Sequence, residues 1–66
     1  MTRYRIISYP NRKISHKDAS SMMHALRAYT RDNRLKVISS FISPSGDMIS
    51  QCNDNIRIIV REIEVI

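Results

Sequence analysis

The chain has one cysteine, one glycine, two prolines and no tryptophan in 66 residues. A single Cys52 rules out an internal disulfide, so no covalent staple supports a domain this small. A lone thiol also fits a reducing compartment, and an intermolecular bridge is the only disulfide left to it. One glycine rules out a glycine-rich phosphate loop by count alone. No serine stands in a Gly-x-Ser-x-Gly elbow. The longest apolar run in the body of the chain, Ile58-Ile59-Val60, is far below the roughly 20 residues of a membrane-spanning helix. The first ten residues hold no apolar core or small-residue cleavage site of a signal peptide. These absences point to a soluble, cytoplasmic protein with no membrane partner.

Acidic residues are scarce where basic ones are dense. Residues 1–36 hold nine of the eleven Lys and Arg and only Asp18 and Asp32 against them, a net +7. Residues 37–66 hold Arg57 and Arg61 against four acids, a net −2. A block of positive charge within half a small domain makes a directed field that attracts polyanions or acidic protein surfaces. The hydrophobic share of 42% and charged share of 26% are those of an ordinary globular domain, so disorder is not expected. The length allows one domain, residues 1–66, whose core is small for its surface.

Arg3 to Tyr9 reads as a strand that Pro10-Asn11 closes. Arg12-Lys13-Ile14 is either a short return strand or a basic loop. Ser15-His16-Lys17-Asp18 has the form of a capping box, and a helix over about Lys17–Arg31 follows. Ala19, Met22, Met23, Leu26, Tyr29 and Thr30 form its apolar stripe. Lys17, His24, Arg27 and Arg31 form a basic ridge opposite. Asn33 is the expected left-handed cap.

Arg34 to Ser43 reads as a long strand with apolar residues on both faces, central in the sheet or meeting another subunit. Ser43-Pro44-Ser45-Gly46-Asp47 is the clearest turn, followed by a hairpin strand over Met48–Cys52. Ile56 to Ile66 is the last strand, with a change of apolar phase that predicts a bulge near Arg61-Glu62. The fold class is therefore α+β: a single helix on an antiparallel sheet of three to five strands, in the order β-(β)-α-β-β-β.

Function is far less legible. His16, His24 and Cys52 lack the local spacing of a metal site. The acids sit mostly in caps and turns, where Asp is favoured for backbone bonding, so no acid–base pair stands out. No catalytic residue, metal or cofactor is expected. The first reading is a non-enzymatic regulator that binds nucleic acid, DNA or RNA, through Arg3, Arg5, Arg12, Lys13, Lys17, Arg27 and Arg31. The alternative is a protein-interaction module that meets an acidic surface of a host protein: an inhibitor, antitoxin or takeover factor of the type that bacteriophages and mobile elements carry. One helix covers one sheet face, so a homodimer is expected, with Ile38, Ile42, Ile59 and Ile63 at its interface and the last strand as its edge.

Overall fold

Six elements carry the chain in the computed structural model, which describes residues 1–66: β1 (Thr2–Tyr9), β2 (Lys13–Ala19), α1 (Met22–Asp32), β3 (Val37–Ile42), β4 (Met48–Cys52) and β5 (Arg57–Val65). A 3-10 turn at Asn53–Asn55 joins β4 to β5. The strands make one sheet in the order β2-β1-β5-β4-β3, and every neighbouring pair is antiparallel. The chain is thus an α+β fold, one helix against a five-stranded antiparallel sheet.

β2 is where local sequence and tertiary pairing conflict most. Lys13-Ile14-Ser15-His16-Lys17-Asp18-Ala19 has little strand propensity and no apolar alternation. It forms because β1 offers a full-length template, from Ser8 opposite Lys13 to Thr2 opposite Ala19. The capping box expected at Ser15–Asp18 is therefore not used, and Lys17 belongs to a strand rather than to the helix. Its polar composition suits an edge, where charged side chains discourage pairing with another chain.

The helix starts five residues later than its expected start. Ser21 is extended at the N-cap and its hydroxyl accepts from the His24 N–H at 3.2 Å. Ala25, Leu26, Tyr29 and Thr30 are buried and Met22 packs at the margin, whereas Met23 turns outward. At the other end the left-handed residue is Arg34 (φ 55), not Asn33 (φ −103). The Arg34 N–H donates to Arg31 O and the Leu35 N–H to Thr30 O, closing the last carbonyls in the pattern that usually uses glycine.

The core lies between α1 and one face of the sheet. Tyr4 and Ile6 of β1, Met48 and Cys52 of β4, and Ile58 and Val60 of β5 meet Ala25, Leu26 and Tyr29. Its buried polar atoms are all partnered: Thr30 Oγ1 donates to Leu26 O at 3.0 Å, and the Ser40 and Ser50 hydroxyls bond at 2.8 Å.

Two bulges set which residues leave that core. In β5, Tyr4 pairs with Glu62 and Arg3 with Glu64, so Ile63 is the extra residue, one beyond the expected position. In β3, Val37 pairs with Cys52 and Ser39 with Gln51, so Ile38 is extra and the parity of the strand flips. Phe41 thereby comes to the face away from the helix, opposite Ile49, and Ile42 to the helix side, opposite Met48. Two expectations about strand position are also overturned. β3 is an edge strand, and β5 is central, enclosed by β1 and β4. β5 gains that place because Ile58 and Val60 complete the core while β1 and β4 pair with both of its edges, which an edge position cannot give. The last strand therefore has no free edge for a second copy. The Pro44–Gly46 turn forms as its residues dictate, with Gly46 at φ 89 and its N–H donating to Ser43 O at 2.9 Å.

Candidate binding faces

Ion pairing decides which charges are left to act on a partner. Asp18 and Glu64 both hold Arg3, at 3.0 and 3.2 Å. Asp32 holds Lys17 at 2.7 Å and lies 3.8 Å from Arg31. Asp47, nearly buried in the β3–β4 turn, accepts from Arg61 at 2.8 Å. Arg3, Lys17 and Arg61 hold the carboxyls of Asp18, Asp32 and Asp47 below the ordinary carboxylate range, by hydrogen bonding above all. Arg5, Arg12, Lys13, Arg27, Arg34, Lys36 and Arg57 have no carboxylate partner, and Asp54 and Glu62 are the acids without a cation. The uncompensated charge is mostly positive, seven side chains against two.

The sheet divides the seven expected nucleic-acid contacts into two groups. Along β2, Lys13 and Lys17 lie on the side of buried Ala19, facing the helix layer. Lys17 and Arg31 converge on Asp32, and Arg27 is exposed one turn earlier on α1. Lys13, Lys17, Arg27 and Arg31 thus share the helix side. Arg34, exposed just beyond the helix, joins them, and nothing in its local sequence marks it out. Arg3 and Arg5 point to the other side of the sheet, and Arg3 is engaged by its two acids. Arg12 stands in the β1–β2 turn between the groups, with φ 56.

The open face of the sheet has a regular layout. Ile14, Ile7, Ile59, Ile49 and Phe41 pair in lateral succession, one from each of the five strands. Ile7, Ile49 and Ile59 are half-buried by their neighbours; Ile14 and Phe41 at the two ends are 58% and 59% exposed. On one side of this band Tyr9, Arg57, Gln51 and Ser39 pair in the same way. On the other side His16 pairs with Arg5. Tyr9, Arg12, Gln51, Asn55 and Arg57 line a shallow recess at the first margin. Of the four expected interface residues, Ile59 lies in the band and Ile63 beside it, lining a recess with Arg3, Arg5 and His16. Ile38 sits at the β3 bulge and Ile42 on the helix side, both exposed but away from the band. Arg57, Phe41 and Ile14 were not singled out in sequence. Only pairing across strands brings them together.

No group of three His, Cys, Asp or Glu side chains is close enough to hold a metal ion. Nδ1 of His24 meets the Ser20 and Ser21 hydroxyls at the helix start, an exposed capping cluster without a carboxylate. Cys52 is 1% exposed, and burial pushes its thiol above the ordinary value. The folded chain therefore withholds this thiol from an intermolecular bridge. No helix is long and apolar enough to cross a membrane. No family model, curated protein or solved structure matches the chain.

Proposed function

We propose that this chain is a non-enzymatic, cytoplasmic regulatory protein that binds nucleic acid through the basic side shared by α1 and β2. One observation carries the reading. Lys13, Lys17, Arg27 and Arg31 lie on the helix side and Arg34 is exposed just past the end of α1; Lys17 and Arg31 share Asp32, and the other three have no carboxylate partner. Lys and Arg heads on one surface engage phosphates and release counterions, which gives affinity without base readout. No element with the form of a groove-reading motif is present, so sequence preference should be weak. If about five phosphates are contacted, the log–log salt slope on duplex DNA is near −4 to −5. Titration of labelled DNA and RNA at two salt concentrations tests this. Arg27→Glu with Arg31→Glu should lower affinity at least tenfold, and Arg5→Glu should change it little. Absence of binding at low salt would end the reading.

The open face favours a second reading, a protein-interaction module of the inhibitor, antitoxin or takeover type found in bacteriophages and mobile elements. Its aliphatic band supports apolar anchoring, and its cations support steering toward an acidic surface. Of the homodimer interface expected from the sequence, Ile59 and Ile63 belong to this face, while Ile38 and Ile42 lie on the edge strand β3 away from the band. The charges around the band choose between these occupants.

A further inference from the structure

We infer that the open face is a docking site for an acidic amphipathic segment of a partner protein, an apolar strip flanked on both sides by carboxylates. This rests on the protein-interaction reading and names its partner chemistry. The band crosses the whole sheet, from Ile14 on β2 to Phe41 on β3, a distance of about 19 Å for four strand spacings. The molecule measures 33 × 27 × 18 Å, so its broad face approaches the roughly 800 Å² that one partner contributes to a standard interface.

The flanking charge selects the occupant. Arg5 and His16 border the band on one side and Arg57 on the other, and neither arginine has a carboxylate within ion-pair distance. Of the acids beside this face, Asp18 and Glu64 are committed to Arg3, and Asp47 is committed to Arg61, which pairs with Arg5. A second copy fits this pattern poorly. β5 is the central strand, so two-fold stacking about the sheet centre places β5 on β5. Arg57 of one copy would then meet Arg57 of the other, or an Arg61 whose acid, Asp47, is already engaged. Like charges brought together at an interface oppose association, and a partner with carboxylates on both margins removes the conflict. Nucleic acid also fits less well. The middle of the face is aliphatic, and its two rings, Tyr9 on β1 and Phe41 on β3, stand three strands apart rather than as a continuous stacking platform.

The test is selection of a random-peptide display library on the immobilised full chain and, in parallel, on the double variant Arg5→Glu with Arg57→Glu. Both arginines are exposed, and circular dichroism checks that the variant folds. The expected result is enrichment of peptides with a helical-period apolar stripe and Asp or Glu beside it. Synthetic copies should bind at least tenfold more weakly to the double variant and to Phe41→Ser. Enrichment without acidic bias, or binding indifferent to charge reversal, would overturn the acidic chemistry and leave the interaction reading standing. A micromolar dimer in sedimentation that Phe41→Ser dissociates would overturn it in favour of a second copy. Binding of an oligothymidylate that the double variant abolishes would overturn it in favour of nucleic acid. A monomer that enriches no peptide would overturn both the inference and the reading beneath it.

Discussion

The two faces of this sheet carry nearly the same aliphatic residues and put them to different use. Toward the helix, Ile6, Ile58 and Val60 are fully buried. Away from it, Ile7 and Ile59 alternate with them along the same two strands and remain half-covered. The difference is one helix. Leu26, Tyr29 and Ala25 complete the packing on one side, and nothing in the chain covers the other. A strand buried on both faces reads as a continuous apolar run, and Ile58-Ile59-Val60 has that composition with only one face closed. Residue type therefore does not separate the buried aliphatic side chains from the half-exposed ones in this protein; position relative to α1 does.

Truncation should separate the faces most sharply. Leu26→Ala or Ile58→Ala should cost about 2–5 kcal/mol, enough to unfold much of a domain this small. Ile14→Ala should cost less than about 0.5 kcal/mol, because its side chain is largely solvated already. Urea denaturation of the three variants checks this, and an equal loss at Ile14 would mean that the open face is covered in the free chain. The ends of the helix should show intermediate effects. Ser21→Ala should destabilise by about 1 kcal/mol through loss of the cap. Arg34→Gly should stabilise by roughly 0.5–1 kcal/mol, because glycine adopts the left-handed conformation without a side-chain penalty. Thermal melts report both, at about 4–8 °C per kcal/mol for a chain of this length. Arg34→Gly should also weaken nucleic-acid binding if the helix side carries it, which divides stability from function at one residue.

The smallest expected effect is electrostatic. Asp47 is held below its ordinary value of 3.8 by Arg61, so its folded carboxyl protonates later than its unfolded one as pH falls. Its contribution is complete above pH 3.8 and is lost as pH drops through the folded value. Denaturation midpoints between neutral pH and about pH 2 should therefore decline less steeply in Asp47→Asn than in the parent chain. An identical slope would show that the Asp47–Arg61 contact, whose arginine is 59% exposed, adds nothing to stability.

Much of the fold was legible in local pattern. The closing turn at Pro44–Gly46, the strands at Arg3–Tyr9 and Met48–Cys52, and most of the helix stripe all follow from residue chemistry within a few positions. β2 was not legible, because Lys13–Ala19 is a strand only while β1 pairs with it, and a serine followed by an acid resembles a helix start. That misreading placed Lys17 on a helical ridge, whereas its true neighbour Arg31 is reached across Asp32. The bulge at Ile38 was equally hidden, since a one-residue slip exchanges Phe41 and Ile42 between faces without altering composition.

By itself, the sequence determined the charge asymmetry, the α+β class, the absence of a disulfide and the surplus of aliphatic residues over what one helix can cover. Those properties depend on counts and short-range periodicity, which survive any rearrangement of the strands. Only the tertiary structure decided that β5 is central, that Arg3 is neutralised while Arg5 and Arg57 are not, and that five apolar side chains line up across five strands. Each of these is a relation between residues far apart in the chain, and strand order and register, not composition, create it.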